Sequence, residues 1–161
     1  MAKQKILSFG ELLLRISPNV AEKSEKQPMQ LFVGGAEANV ATALAGWDMP
    51  VKYCTVLPDN FMTKHMLHYL ELKGIFTSSI VFSGKRIGLY YLERGADLKG
   101  SMVYDRDHSS FSELKRGMID WDKVLAGVSW FNFSAISPAL NANVADVCLE
   151  AVEAASKKGI T

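Results

Sequence analysis

The chain has 161 residues, of which 48% are hydrophobic and 22% charged, and this composition is typical of a globular domain with a sizeable core. Its formal net charge is +1 and its basic residues are dispersed, so the sequence carries no electrostatic footprint for nucleic acid. No stretch has the length of a membrane span, and the two cysteines, Cys54 and Cys148, are far apart without a CxxC pattern. We therefore expect a soluble cytoplasmic protein that binds neither nucleic acid nor membranes.

The first half of the sequence predicts alternating strands and helices. The predicted elements are a strand over 5–9, a short apolar run over 29–33, a helix over 34–47, a strand over 51–56 and a helix over 59–74. The first helix has an apolar stripe of Val40, Leu44 and Trp47 at i, i+4 and i+7. The second helix ends at Lys73 and Gly74, a typical helix stop. This alternation is typical of a parallel α/β sheet.

The middle of the sequence breaks the alternation. Three strand-like runs follow one another at 78–82 (SSIVF), 87–93 (IGLYYLE) and 100–105 (GSMVYD), with no room for a helix between them. They are predicted to pair antiparallel as a small β flap. Ser110 and Glu113 then form a capping-box pattern, which predicts a brief helical turn.

The last part of the sequence predicts a buried strand over 128–134 (VSWFNFS) and a long helix over 142–158. The apolar stripe of this helix is formed by Val144, Val147, Cys148, Ala151, Val152 and Ala155. The following Gly-Ile-Thr (159–161) is predicted to start a new strand, because a crossover helix delivers the next parallel strand. We therefore interpret the sequence as the N-terminal part of a longer α/β protein, with a mainly parallel sheet, flanking helices and a small antiparallel flap.

Gly34 and Gly35 immediately precede the first predicted helix, and Asn39 follows near its start. A glycine pair lets the backbone turn sharply or approach a ligand closely, and a helix N-terminus favours polar and anionic groups. We therefore expect a ligand at this helix N-terminus, and we expect Gly35→Ala to obstruct that ligand more than it disturbs the fold. The alternative is a glycine pair that serves only to pack the helix.

Familiar cofactor and catalytic motifs do not occur in the sequence. No GxGxxG follows the first strand, and neither GxSxG nor HExxH is present. The segment GADLKGS (95–101) lacks the lysine of a Walker A loop and is predicted to be a hairpin loop. His65 and His68 form an HxxH pair on a predicted helix, but no cysteine lies nearby and we expect no metal site. These observations argue against a hydrolase, a zinc enzyme and an oxidoreductase built on a Rossmann sheet.

Four parts of the sequence together resemble a known family. They are GELLLR (10–15), VGGAEANVATALA (33–45), the pair GLYYLE and SMVYDR (88–93 and 101–106) and FNFSAISPAL (131–140). In this order and at these spacings they resemble the ribokinase-like (PfkB) sugar kinases, and most closely the 2-keto-3-deoxygluconate kinases. The resemblance implies that residues 1–161 are the N-terminal part of one ribokinase-like domain, with a β lid from about 29–33 and 78–105. It also implies that the ATP-binding part of the domain is absent from this sequence.

The same resemblance implies a set of substrate-binding residues. They are Gly34, Gly35, Asn39, Tyr90, Tyr104, Arg106 and Ile136. Tyr104 and Arg106 would meet the carboxylate of a sugar acid, which suits the planar donor fork of arginine. An arginine flanked by Asp105 and Asp107 could instead be a solvated, paired charge, and Ile136 could be an ordinary core residue.

The implied reaction is ATP-dependent phosphorylation of the terminal hydroxyl of 2-keto-3-deoxygluconate, with Mg²⁺ bridging the phosphates. The family's Gly-Ala-Gly-Asp segment, whose Asp is the catalytic base, does not occur here, so we expect no catalytic residue in this chain and no activity from the chain alone. A homodimer through the lid, near 80–102, is also expected. The alternatives are a kinase for a neutral sugar such as fructose, and a non-catalytic sugar-binding or assembly module. Asp48, Asn132 and Ala135 replace residues usual in the family, which leaves the exact sugar open.

Overall fold

The computed structural model describes residues 5–18, 28–94 and 100–161. Its elements, in chain order, are β1 (Lys5–Phe9), β2 (Leu13–Pro18), β3 (Met29–Gly34), α1 (Ala36–Gly46), β4 (Val51–Leu57), α2 (Phe61–Leu72), β5 (Phe76–Phe82), β6 (Leu89–Arg94), β7 (Gly100–Asp105), α3 (Trp121–Val124), β8 (Val128–Asn132) and α4 (Ala142–Lys157). The predicted hairpin loop at 95–101 lies mostly outside the described residues.

The main sheet is parallel, with its four described strands in the order β5-β4-β1-β8. One core cluster lies on the face covered by α1 and α2, and it includes Tyr53 and Leu70. The other lies on the face covered by α3 and α4, and it includes Phe9, Trp121 and Val147. Because the strands are covered on both faces, they are rich in apolar residues, as parallel sheets are. The α/β class predicted from the sequence is confirmed.

The lid is a second sheet, with its strands in the order β3-β2-β6-β7. β2 and β6 pair in parallel, and the two outer pairs are antiparallel. The prediction that 87–93 and 100–105 pair antiparallel is confirmed. β2 was not predicted as a separate strand, because it follows β1 after only three residues.

The prediction that 78–82 belongs to the flap is wrong. These residues are part of β5, which pairs in parallel with β4 at the edge of the main sheet. Ile80 packs against one core cluster and Val81 against the other, so the strand is held between the two helix layers. α2 is a crossover helix that returns the chain to the main sheet, so β5 pairs with β4 although β6 is closer in sequence.

The predicted apolar stripe of α1 is wrong at Val40 and Trp47, whereas its third residue, Leu44, packs against a core cluster. Val40 is 43% exposed and Trp47 is 73% exposed, whereas the buried residues of the helix are Glu37, Ala38 and Ala41. The small alanines let the helix lie close to β1 and β4, and Val40 and Trp47 then face outward. The stripe of α4 is confirmed except at Val152, which is exposed.

The backbone beyond α4 supports the predicted start of a new strand. Gly159 has a φ of 65°, a left-handed conformation suited to a glycine after a helix. The Thr161 N–H then donates to the Ser129 carbonyl at 3.2 Å, and the Phe131 N–H donates to the Thr161 carbonyl at 2.7 Å. Residue 161 thus pairs with the free edge of β8.

Candidate functional site

A cleft of about 190 Å³ lies between the lid, the N-terminus of α1 and the loop that follows β8. It is lined by Glu11, Leu13, Gly35, Ala36, Glu37, Asn39, Tyr90, Met102, Tyr104, Arg106, Ile136 and Ser137. Six of the seven predicted site residues are in this lining, and the seventh, Gly34, lies against the Tyr90 ring. A larger depression of about 580 Å³ shares Arg106 and continues past His108 to Asn141, away from α1 and the lid tyrosines.

The glycine pair is closely packed, and glycine is required at position 35. Gly35 has a φ of 139°, and a β-carbon there would lie 2.5 Å from the main-chain oxygen of Glu11. A β-carbon at Gly34 would lie 3.0 Å from the Tyr90 hydroxyl oxygen. The Gly35 carbonyl accepts from the N–H of Asn39, whose side chain is exposed at the cleft. The expectation that Gly35→Ala would spare the fold is therefore wrong, because the backbone itself needs glycine there.

Two tyrosines of the lid stand side by side over the cleft. Tyr90 on β6 is directly opposite Tyr104 on β7, so both side chains project from the same face of the antiparallel pair. Their ring centroids are 5.9 Å apart. Met102, two residues before Tyr104, lies on the same face and also lines the cleft. This face of the lid offers aromatic surface and phenolic hydroxyl groups to a ligand.

Arg106 follows β7 and pairs with a residue that sequence reasoning did not single out. Its Nε donates to Oε2 of Glu11 at 2.8 Å, and its Nη2 donates to the same oxygen. The Arg106 side chain is 15% exposed. The neighbouring Asp105, one of the two alternative partners expected for Arg106, pairs instead with Arg86 at 2.7 Å.

Glu11 is a buried carboxylate at the end of β1, with 4% of its surface exposed. Its Oε1 accepts a hydrogen bond from the Ser109 hydroxyl at 2.5 Å. A β-carbon at Gly88 would overlap the same oxygen, so glycine at 88 makes room for the carboxylate. Burial raises the pKa of Glu11, while Ser109 and Arg106 oppose that rise. The available sequence signal was a charge that interrupts an apolar run.

Glu37 is a second buried carboxylate, in the first turn of α1 and 2% exposed. Its Oε1 accepts from the Ser134 N–H at 2.9 Å, the Ser134 hydroxyl at 2.6 Å and the Ser137 hydroxyl at 3.3 Å. These bonds fix the loop that presents Ile136 to the cleft. The sequence signal was the charge on the alanine face of α1, which a search for large apolar residues overlooks.

The segment after Arg106 also differs from its prediction. The residue whose hydroxyl accepts from a turn N–H is Ser109, which accepts from Ser112 at 3.1 Å. Ser110 is buried, and the structure forms a turn there in place of the predicted capped helical turn. The Ser110–Glu113 capping box is therefore wrong by one residue, because the Ser109 hydroxyl also bridges to Glu11.

Metal and membrane features are limited in the described part of the chain. Residues 5–18, 28–94 and 100–161 contain no group of three or more His, Cys, Asp or Glu side chains placed to hold a metal ion. His65 and His68 are both exposed on α2, away from the cleft. Within the same residues, every helix is too short or too polar to cross a membrane.

The sequence of residues 3–160 matches the profile of the pfkB family of carbohydrate kinases. The match covers nearly the whole chain. This chain belongs to the pfkB family. The ribokinase-like fold and the family resemblance inferred from the sequence are therefore confirmed.

Several pfkB kinases are similar to this chain over almost its full length. The crystal structure of 2-dehydro-3-deoxygluconokinase from Thermotoga maritima superposes with a TM-score of 0.90 at 39% identity, covering 98% of this chain and 49% of that one. The 2-dehydro-3-deoxygalactonokinase of Haloferax volcanii is 26% identical over 98% of this chain and 50% of its own length. Fructokinase-1 of Oryza sativa is 27% identical over 96% of this chain and 48% of its own length. This chain therefore spans about half the length of these pfkB relatives.

Proposed function

We propose that the complete protein is an ATP-dependent sugar-acid kinase and that this chain supplies its sugar-binding half. The substrate is 2-keto-3-deoxygluconate, which is phosphorylated on its terminal hydroxyl. The observation that carries the proposal is the cleft in which Tyr90, Tyr104 and Arg106 face the N-terminus of α1. The similarity to a 2-dehydro-3-deoxygluconokinase, at 39% identity, supports the choice of substrate.

Each side chain of the cleft has a chemical role in this proposal. The hydroxyl groups of Tyr90 and Tyr104 and the amide of Asn39 bond the hydroxyl groups of the sugar. Arg106 binds the carboxylate of the sugar acid through the N–H groups that are not bonded to Glu11. Ile136 packs against the carbon chain. Gly35 lets the backbone at the start of α1 approach the ligand.

ATP and Mg²⁺ are the proposed phosphoryl donor and its metal ion. The cleft residues described above are assigned to the sugar, since the described lining has two carboxylates and a single guanidinium. The Gly-Ala-Gly-Asp segment with which the family handles the donor does not occur in these 161 residues. No catalytic base is therefore assigned within this chain.

The lid is also the proposed site of homodimer formation in the cytoplasm. An apolar row crosses the lid, with one residue on each strand paired in register with the next: Leu31, Ile16, Tyr91 and Val103. Three of the four are exposed, and their side chains project from the face opposite to Tyr90 and Tyr104. Such a row is the kind of surface that a second copy covers.

A neutral-sugar kinase is the second candidate, and a specific observation favours it. Arg106 is already paired with Glu11, so the cleft has no excess of positive charge to attract an acid. The similarity to a fructokinase is consistent with this alternative. A non-catalytic sugar-binding module is the third candidate, and it would bind sugars without turnover.

The test is a comparison of substrates with the full-length protein. ADP release is measured with 2-keto-3-deoxygluconate, its galactonate epimer, fructose and ribose, each with ATP and Mg²⁺. The proposal expects the highest kcat/KM for a 2-keto-3-deoxy sugar acid. Preference for fructose would establish the second candidate, and binding in a melting-shift assay without ADP release would establish the third.

A further inference from the structure

Glu11 lines the cleft and also contacts residues of several segments around it. Glu11 is bonded on one side to Arg106 and on the other to Ser109, so its two carboxylate oxygens have different partners. Its main-chain oxygen also lies against Gly35, at the start of α1. Glu11 therefore connects the three walls of the cleft: the end of β1, the segment after the lid, and α1.

We propose that Glu11 is a specificity-determining residue with two opposing effects: it positions the Arg106 guanidinium at the cleft for the carboxylate of a sugar acid, and it offsets part of the charge that attracts that carboxylate. This proposal rests on the proposed function and deepens it. It assigns to Glu11 an action through Arg106, and no contact with the substrate is required of it.

The positioning part of the proposal follows from the hydrogen-bond geometry. The hydrogen bonds from Arg106 to Glu11 are donated by Nε and Nη2, on one side of the guanidinium. That side is therefore held against the buried carboxylate, and the plane of the group is fixed. The glycine at 88 leaves space for the carboxylate at this position, so the pair is built into the packing. An arginine held in this way loses less conformational entropy when it binds a ligand.

The charge part follows from the composition of the cleft. Among the residues that the structure describes, its lining contains two carboxylates, Glu11 and Glu37, and one guanidinium, Arg106. The carboxylate of Glu11 is in direct contact with the guanidinium, whereas the described hydrogen bonds of Glu37 go to Ser134 and Ser137. In a site of low dielectric, a carboxylate at contact distance substantially weakens the attraction of the guanidinium for a second carboxylate.

A substitution by glutamine separates positioning from charge. In Glu11→Gln the amide oxygen can accept the bonds from Arg106, and the amide NH₂ can donate to the Ser109 oxygen, which as a hydroxyl also accepts. The orientation of Arg106 is kept and the negative charge is removed. In Glu11→Ala both are lost. Asp105→Asn is the matched control, because it removes a carboxylate from the neighbouring ion pair with Arg86 and leaves the cleft lining intact.

The experiment measures kcat/KM of the full-length protein for 2-keto-3-deoxygluconate and for fructose, and takes their ratio. We expect Glu11→Gln to raise the acid-to-neutral ratio about tenfold, the effect of one partly screened charge. Glu11→Ala should lower the ratio, since Arg106 is no longer held in place. Asp105→Asn should leave it within about twofold. Ser109→Ala should raise the ratio by a smaller factor than Glu11→Gln, because it removes a donor that favours the charged carboxylate.

The outcomes separate this proposal from the proposed function. If the wild-type protein turns over both sugars and Glu11→Gln leaves the ratio unchanged or lowers it, the role of Glu11 is refuted and the kinase function stands. If the wild-type protein has no turnover, the kinase function fails. The preference for the acid over fructose is then measured as the ratio of the binding affinities that melting shifts give for the two sugars. Absence of any shift with either sugar in the folded wild-type protein overturns both.

Discussion

The main-chain oxygen of Glu11 lies 2.5 Å from the position that a β-carbon on Gly35 would occupy. The end of β1 and the start of α1 therefore meet at a distance that only glycine permits. The φ of 139° at Gly35 adds a second requirement for glycine.

Gly35→Ala should destabilise the fold by more than about 1 kcal/mol. Backbone strain alone costs about 1–3 kcal/mol, and a clash against a carbonyl oxygen adds to it. Gly46→Ala is the control, since a β-carbon there meets nothing within 4 Å and the residue ends a helix. It should be neutral or stabilising, by up to about 1 kcal/mol. Urea unfolding of both variants measures the difference. Equal stability of the two variants would contradict this account of Gly35.

Arg106→Ala should weaken the binding of a 2-keto sugar acid more than that of a neutral sugar. The loss of a charge-assisted hydrogen bond corresponds to about 1.5–3 kcal/mol, seen as a rise in KM for the acid. Arg86→Ala is the matched control, because Arg86 forms an ion pair with Asp105 outside the cleft lining. Steady-state kinetics of the full-length protein provide the measurement. A parallel rise in both KM values would show that Arg106 serves the fold alone.

Glu37→Ala should loosen the loop that carries Ile136. The substitution removes the acceptor for the partly buried Ser134 groups and the buried Ser137 hydroxyl, and an unsatisfied buried donor costs about 1–3 kcal/mol in unfolding free energy. Glu113→Ala is the control, since Glu113 is exposed and pairs with an exposed His108; its effect should stay within about 0.5 kcal/mol. Thermal melting and limited proteolysis within 134–140 report the outcome. Unchanged protection of the loop would exclude the clamping role of Glu37.

The raised pKa of Glu11 predicts how the difference in stability between Glu11→Gln and the wild-type protein depends on pH. Burial favours the neutral carboxyl group in the folded protein, so its folded pKa lies above the unfolded value of about 4.3. The stabilisation that comes with this proton is fully present below the unfolded pKa and is lost as pH rises through the folded pKa. The stability of Glu11→Gln relative to wild type should therefore increase as pH rises from about 4 towards 7. Urea unfolding at several pH values gives the curve, and a flat or inverted difference would contradict the raised pKa.

Val103→Glu should prevent dimer formation through the lid. The substitution places a charge in the apolar row of Leu31, Ile16, Tyr91 and Val103. Analytical ultracentrifugation of the full-length protein should give a dimer for wild type and a monomer for the variant. Phe76→Glu, on the outer edge strand of the main sheet, is the control and should leave the dimer intact. A wild-type monomer, or a variant that still dimerises, would exclude this interface.

Periodicity located most of the elements, because strands and helices of the main sheet repeat their apolar residues at characteristic spacings. It failed where packing across the sheet decided the result. The stripe of α1 was misplaced at Val40 and Trp47, since the buried residues of the helix are two alanines and one glutamate. β5 was grouped with the flap because pairing partners of a strand are set by the crossover connection, and spacing along the chain carries little information about them.

The site was predicted unevenly for a related reason. The family resemblance supplied seven candidate residues, and the structure gathers six of them around the cleft. Glu11 and Glu37 were overlooked since each appears in sequence as a single charge within an apolar segment. Their partners, Ser109 and Ser134, are about a hundred residues away in the chain, and only the folded backbone brings them together.

The carboxylates of Glu11 and Glu37 occupy volume that side chains at Gly88 and Gly10 would need. A β-carbon at Gly10 would overlap Oε2 of Glu37, as one at Gly88 would overlap Oε1 of Glu11. Substitutions at each glycine and its glutamate are therefore coupled. During divergence, a larger residue at 88 requires a shorter side chain at 11 and a shift of the Leu13 side chain, and a larger residue at 10 requires a shorter side chain at 37. Replacement of either glycine by a larger residue is therefore tied to the loss of a carboxylate from the cleft lining, which restricts the order in which these substitutions arise.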